Sequence, residues 1–234
     1  MLNGKKYELI LFGLHYRRVL KVIHPDRDII DFVDNVLADY TYHICKVECS
    51  FDFVNLNRIE SMEFMDFCRK TVYVLHRGKA LPLRYLTTEY FNNTWTHRSA
   101  GIKGYIRPEG FYRQEVTIKT PYLRSMGVQS ILDLYKLDPS KVAERITFRC
   151  INFNKWRKGF HHRPSNNKFT DHLVQNEINS VLHEQSLNDA VILARKYAGE
   201  RKFVDVHPFQ PIFRAAIHDT FIKDEHPECI RVNE

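Results

Sequence analysis

Hydrophobic and polar positions alternate most regularly near the middle of the N-terminal half, from Tyr42 to Phe53. The odd positions from Cys45 to Phe53 are all apolar, while the even positions include Lys46, Glu48, Ser50 and Asp52. This period of two predicts a β-strand with one face on the core and the other facing solvent or a ligand. Glu48 and Asp52 then lie on the same polar face.

A second alternating region, residues 100–119, predicts a β-hairpin. Its two runs are separated by Pro108-Glu109-Gly110, a combination typical of a tight turn. A three-residue loop places Tyr105 opposite Arg113 and Lys103 opposite Glu115 on one polar face. A phenol, a carboxylate and several cations on one face suit an active site, although an ordinary solvated sheet face has a similar composition.

Apolar residues at helical spacing predict helices around these strands. The predicted helices cover residues 28–39, 60–76, 121–127, 130–137, 171–184, 186–198 and 208–222, and further strands cover 5–12 and 83–91. We therefore expect an α+β domain over residues 1–150 and a helical region over residues 151–234. The domain should contain a mostly antiparallel sheet with helices packed on one face, and its open polar face is the expected active site.

Composition narrows the class of partner and the cellular compartment. The chain has 35 Lys and Arg against 28 Asp and Glu, which gives a net charge of +7 and favours a polyanionic partner such as nucleic acid. The five cysteines form no CxxC pair, which argues against a disulfide framework or a structural zinc site. No apolar run is long enough to cross a membrane and no secretory signal is recognisable, so we expect a soluble, intracellular protein.

A basic segment, KWRKGFHHR at residues 155–163, interleaves aromatic and cationic side chains. This composition favours contact with DNA, because cations neutralise phosphates while aromatic rings stack on bases. The alternative is an exposed basic loop whose aromatic side chains are buried in the core. The candidate DNA-binding residues are Lys119, Lys155, Trp156, Arg157, Lys158 and Arg163.

Three segments of the chain resemble the replication initiators of filamentous phages, the gene II proteins. RQEVTIKTPYLRSMGV at residues 113–128 resembles the family segment built around R-F-E, K-T, Y-L and G. KVECSFD at residues 46–52 resembles the family's Arg-Ile-Asp strand, and Tyr105-Ile106-Arg107 resembles the strand that carries the nicking tyrosine as Y-hydrophobic-Lys. The resemblance covers roughly residues 5–150, and related rolling-circle plasmid initiators share the same plan.

The resemblance implies a site-specific endonuclease and strand transferase that nicks one strand of a double-stranded origin and starts rolling-circle replication. It implies Tyr105 as the nucleophile, Glu48 and Glu115 as ligands of Mg²⁺ or Mn²⁺, and Asp52 and Glu8 as further metal candidates. It also implies a bacterial cytoplasmic location, double- and single-stranded DNA as partners, and contact with a host helicase or polymerase. The chain departs from the family in three ways: it starts later, Glu48 replaces an aspartate, and Arg107 replaces a lysine.

The chemistry of the residues is compatible with this reaction. A tyrosine must lose its proton to attack a phosphodiester, and we expect Lys103, Arg107 and Arg113 to favour the phenolate and stabilise the transition state. Nearby carboxylates could bind a divalent cation that polarises the phosphate. Two alternatives stay open: a non-catalytic DNA-binding relative that regulates replication, and a metal-dependent phosphodiesterase in which water is the nucleophile.

Overall fold

The main element of the fold is a five-stranded antiparallel sheet, which confirms the α+β class. The computed structural model describes residues 7–12, 17–22, 27–39, 42–74, 84–85, 87–91, 100–160, 168–198 and 202–223. The strands are β1 (Tyr7–Phe12), β2 (Arg17–Val22), β3 (Lys46–Phe53), β4 (Arg84–Tyr85), β5 (Thr88–Tyr90), β6 (Ala100–Ile106), β7 (Tyr112–Lys119), β8 (Arg149–Ile151) and β9 (Val204–Val206). The main sheet has the order β3-β7-β6-β5-β4, while β1 pairs with β2 and β8 with β9 in two small antiparallel sheets.

The helices occupy most of the predicted segments, with boundaries shifted by a few residues. They are α1 (Arg27–Leu37), α2 (Arg58–Thr71), α3 (Thr120–Ser125), α4 (Pro139–Ala143), α5 (Phe153–Phe160), α6 (Lys168–Glu184), α7 (Leu187–Ala198) and α8 (Phe209–Lys223), with a 3₁₀ helix at Leu132–Lys136. Helix α2 begins in a capping box between Asn57 and Glu60. It ends at Thr71, before the predicted end at residue 76, because Val72 adopts an extended backbone and pairs with Phe148.

The apolar face of the main sheet forms the first hydrophobic core with α2 and α8. Val47, Cys49 and Phe51 of β3 face this core, as their alternation predicts. Phe213 of α8 is also part of it, and its ring stacks near Phe53 at a centroid distance of 6.4 Å. The chain therefore returns to the first core in α8, although α5, α6 and α7 pack into a different core.

A second hydrophobic core is built by α5, α6 and α7. Trp156 at its centre is fully buried, and its indole N–H donates to the carbonyl of Ala194 at 3.1 Å. Helix α7 is capped at its N-terminus, because the Ser186 hydroxyl accepts from the backbone N–H of Asp189 and donates to its carboxylate.

One asparagine joins this second core to the end of α2. The side-chain oxygen of Asn188 accepts from the backbone N–H of Val74 at 3.2 Å, and its amide donates to the carbonyl of Val72 at 3.4 Å. Tyr73, between them, faces the opposite side, where its N–H donates to the carbonyl of Thr147 and its carbonyl accepts from the Thr147 hydroxyl. The segment 72–74 is therefore hydrogen-bonded along both of its edges.

Candidate functional site

The predicted hairpin register is the one observed. Gly110 has a φ of 99°, which glycine adopts without steric cost, and its N–H donates to the carbonyl of Arg107 at 2.9 Å. The turn therefore holds three residues between Arg107 and Phe111. Tyr105 pairs with Arg113, and Lys103 pairs with Glu115, as expected.

The polar face of the sheet is ordered in rows that run across the strands. Ser50, Glu115, Lys103 and Tyr90 form one row, and Asp52, Arg113, Tyr105 and Thr88 form the next. A third row contains Glu48, Thr117 and Gly101, and Lys46 pairs with Lys119 at the end. The candidate site residues of all three strands therefore lie on one surface, with side chains of adjacent rows in contact.

The phenol of Tyr105 is held between a carboxylate and a guanidinium. Its hydroxyl donates to Glu115 Oε1 at 2.5 Å, and the Arg113 guanidinium lies close enough to it to favour the phenolate. Burial, together with the hydrogen bond and negative charge of Glu115, raises the pKa of Tyr105, while Arg113 opposes the shift. The expectation that neighbouring cations lower the pKa of Tyr105 is therefore wrong, because burial and the adjacent carboxylate together outweigh them.

Each neighbour of Tyr105 is itself fixed by an ion pair. Lys103 Nζ lies 2.6 Å from Glu115 Oε2, and although burial alone would lower the pKa of Lys103, this pairing raises it. Arg113 binds Asp52 through two nearly parallel bonds of 2.6 and 2.7 Å, a geometry that fixes the guanidinium plane. Arg107 lies at the turn, where its side chain pairs with Glu109 at 3.3 Å.

Glu48 lies in the row next to Glu115, two rows from Tyr105, and has its own partners. Lys46 Nζ is 3.0 Å from its carboxylate, and the Thr117 hydroxyl donates to the same oxygen at 3.3 Å. Burial raises the pKa of Glu48, but Lys46, Lys103 and Thr117 together lower it below the ordinary value. Lys46 and Thr117 were not among the predicted site residues, although the alternation of β3 and β7 places both on this face.

The polar face is less open than expected along its central strand. Arg113, Glu115 and Thr117 are only 3–5% exposed, because β7 lies between β3 and β6 and their polar side chains cover it. More of the side chain is accessible on the flanking strands, where Lys103 is 25% and Asp52 22% exposed. A ligand would therefore approach from the edges of the rows.

The carboxylates have the hard oxygen atoms that Mg²⁺ and Mn²⁺ prefer, but their arrangement does not fit a metal site. Asp52, Glu115 and Glu48 are each paired with a cationic side chain. Among the described residues, no three His, Cys, Asp or Glu side chains form a group that could hold a metal ion. Glu8 lies in β1, which pairs with β2, and its side chain is outside the described residues.

As far as Phe160, the basic segment forms helix α5 and not a loop. Trp156 cannot stack on a base, because it is fully buried in the second core; this part of the DNA-binding prediction is wrong. Lys155, Arg157 and Lys158 are exposed, with Lys155 bound to Asp205 at 2.6 Å and Arg157 to Gln175.

The two other candidate DNA-binding residues lie outside α5. Lys119 is half-buried beside Lys46, and burial together with that neighbour lowers the pKa of Lys119. Arg163 lies outside the described residues.

None of the described helices combines the length and apolarity needed to cross a bilayer.

Comparison with known proteins found no matching family model, no similar curated protein and no similar solved structure.

Proposed function

We propose that this chain is a tyrosine-dependent DNA nickase and strand transferase that initiates rolling-circle replication. The observation that supports this function best is the position of the Tyr105 phenol between Glu115 and Arg113 on the polar face of the sheet. A nucleophilic hydroxyl needs an adjacent proton acceptor and a donor that stabilises the charge formed during attack. Both groups are in contact with Tyr105.

In the proposed reaction, the phenol oxygen of Tyr105 attacks the phosphorus of a phosphodiester. A bond forms between this oxygen and phosphorus, the bond from phosphorus to the 3′ oxygen breaks, and the 3′ oxygen takes a proton to become a hydroxyl. The covalent 5′-phosphotyrosine conserves the energy of the broken bond for later rejoining. Arg113, with Lys103 and Arg107 nearby, offsets the negative charge of the transition state.

The charge of the chain supports DNA as the substrate. The net charge of +7 and the exposed cations of α5 favour binding to phosphates. The resemblance to phage initiators extends this proposal in three ways. The substrates are a double-stranded origin and its displaced single strand, the protein partner is a helicase or polymerase, and the location is the bacterial cytoplasm. The dependence on Mg²⁺ or Mn²⁺ stays a prediction, since the described carboxylates are engaged with cations.

A second candidate function is a non-catalytic DNA-binding protein that regulates replication. The observation that favours it is the burial of Arg113 and Glu115, together with ion pairs that leave their charges compensated. Such a protein would bind DNA through its exposed cations without cleaving it.

Nicking of supercoiled DNA separates these functions. We would incubate the protein with a plasmid carrying the DNA that flanks its own coding sequence, with Mg²⁺, with Mn²⁺ and with a chelator. Denatured products would be examined for a nick and for a protein–DNA adduct. We expect wild type to give the nick and the adduct, and Tyr105→Phe to give neither product. Tyr135→Phe is the matched control, because it also removes a tyrosine hydroxyl bonded to a carboxylate, and it should behave like wild type.

Other outcomes would select the alternatives. Binding without nicking would support the regulatory protein. Nicking that survives Tyr105→Phe and leaves no adduct would identify water as the nucleophile and contradict the proposal.

A further inference from the structure

The two oxygens of the Glu115 carboxylate have separate partners. Oε1 accepts the Tyr105 hydroxyl at 2.5 Å, while Oε2 is bound to Lys103 Nζ at 2.6 Å. The Glu115 side chain is 7% exposed, so water has little access to compete for these positions. Lys103 therefore fixes the orientation in which the other oxygen meets the phenolic proton.

The second polar neighbour of the phenol cannot take this proton. Arg113 carries only donors and stays charged at any pH at which the protein is folded. Its orientation is set by the two bonds to Asp52, so it directs a positive charge at the phenol oxygen. Of these two neighbours, Glu115 alone can accept a proton, and Arg113 stabilises the oxygen after the proton has left.

Tyr135 provides a comparison within the same molecule. Its hydroxyl lies 2.9 Å from both the Asp31 carboxylate and the carbonyl of Arg27, and burial with the Asp31 bond raises its pKa to about 12. The nearby Arg27 guanidinium lies over the ring, 5.9 Å from its centroid. A carboxylate at the hydroxyl is thus common to both tyrosines, whereas a guanidinium aligned by two bonds to a carboxylate lies beside the phenol at Tyr105.

We propose that Glu115 is the general base that removes the Tyr105 proton as the phenol attacks, rather than a ligand of a metal ion. This role rests on the proposed nicking function for its substrate, but the proton transfer itself can be tested on any electrophile. The phenol oxygen forms the new bond, the leaving group departs from the electrophile, and the proton moves to Glu115 Oε1. Base catalysis of this kind typically contributes a factor of about 10²–10⁴ to the rate.

The first experiment uses an aryl sulfonyl fluoride and no DNA. The Tyr105 oxygen forms a bond to sulfur, the sulfur–fluorine bond breaks, fluoride leaves and Glu115 takes the proton. Labelling of the Tyr105 peptide would be followed by mass spectrometry, with the Tyr135 peptide as internal standard. We expect Glu115→Gln to slow labelling of Tyr105 at pH 7 by about 10²-fold. Glu109→Gln, a change of an exposed carboxylate at the hairpin turn, should leave it unchanged.

The pH profile distinguishes a base from a structural contact. Besides Tyr105 and Glu115, the ionisable side chains that face this site are those of Lys46, Glu48, Asp52, Tyr90, Lys103 and Arg113. With Glu115 ionised and acting as base, wild-type labelling should be nearly constant from about pH 6 to 9. In Glu115→Gln the rate should rise about tenfold per pH unit, because only the phenolate reacts. Glu115→Asp keeps a carboxylate and should restore part of the plateau, and thermal unfolding would confirm that each variant is folded.

The second experiment measures nicking by Glu115→Gln over a range of Mn²⁺ concentrations. We expect the loss to persist at every concentration, and recovery at high Mn²⁺ would overturn the assignment in favour of a metal ligand. Equal labelling rates and profiles for wild type and Glu115→Gln would also overturn it. If Tyr105 labelling depends on Glu115 while wild type nicks no DNA, the base is confirmed and the proposed DNA substrate is wrong.

Discussion

The two faces of the central strand β7 are both buried, but by opposite chemistry. On one face, Tyr112, Val116 and Ile118 are fully buried among aliphatic and aromatic side chains. On the other, Arg113 and Glu115 are 3% and 5% exposed and are surrounded by groups of opposite charge. Similar burial along one strand therefore has two different origins.

This difference separates the part of the sheet that stabilises the fold from the part available for chemistry. Burial of apolar surface is favourable by roughly 25 cal/mol per Å². Ion pairs lose hydration when they are buried, and replacing them by apolar residues is often neutral or stabilising. Stability alone therefore does not account for the charged face, which is where the proposed chemistry is located.

The largest expected effect comes from the apolar face. Phe51→Ala removes a ring that is 5% exposed and leaves a cavity against the first core. We expect the free energy of unfolding to fall by about 3–5 kcal/mol, as measured by chemical denaturation. Phe53→Leu, at the partly buried end of the same strand, is the milder control. A loss below about 1 kcal/mol for Phe51→Ala would show that this face does not form the core.

Breaking the Asp52–Arg113 pair should have the next largest effect. Asp52→Ala leaves a buried guanidinium without its two carboxylate bonds, and we expect a loss of roughly 3 kcal/mol in denaturation experiments. The double variant Asp52→Leu/Arg113→Met should be about as stable as wild type but inactive in nicking. A double variant as unstable as Asp52→Ala would mean that the pair itself stabilises the fold.

Gly104 offers a smaller test of how closely the apolar face is packed. A Cβ atom at this position would clash with the hydroxyl of Tyr112 and lie 2.7 Å from its Cζ, and the fully buried Tyr112 ring has little room to move. We expect Gly104→Ala to lower the thermal unfolding temperature, with a cost of about 2 kcal/mol. Gly159→Ala, in helix α5 with no contact shorter than 3.4 Å, should be neutral or stabilising. Equal stability of the two variants would contradict this packing.

The smallest effect concerns Glu48 and has a defined pH dependence. Because the folded-state pKa of Glu48 is lowered, its contribution is fully present above the ordinary value of 4.5 and is lost as the pH falls through the lowered pKa. The partly exposed pair with Lys46 contributes less than about 1 kcal/mol. The unfolding free energies of Glu48→Gln and wild type should therefore differ at pH 7 and converge as the pH falls below 4.5 through the lowered pKa. A constant difference across this range would rule out the ion pair as its source.

The sequence predicts the local framework of the candidate site well. The alternation of β3 and the three-residue turn are short-range patterns, and together they place Tyr105 opposite Arg113 and Lys103 opposite Glu115. They also place Glu48 and Asp52 on the polar face. Such features follow from backbone geometry and need no knowledge of distant contacts.

The remaining features depend on contacts between distant segments. Burial of Trp156 requires the packing of α7 against α5, and the return of Phe213 to the first core requires the whole C-terminal region to be in place. The balance between Glu115 and the cations at Tyr105 depends on distances of a few tenths of an ångström. Residue types alone therefore predict which groups meet but not the direction of the resulting pKa shift.

The two hydrogen bonds of Asn188 to segment 72–74 bear on how this protein associates with other chains. An extended segment with free N–H and C=O groups can pair with a strand of a neighbouring molecule and begin aggregation. Val72 and Val74 are apolar and the backbone of Val72 is extended, but Asn188 occupies the edge on which the N–H of Val74 and the C=O of Val72 lie. A single side chain from the helical region thus satisfies backbone groups that would otherwise be open to a strand of a second molecule.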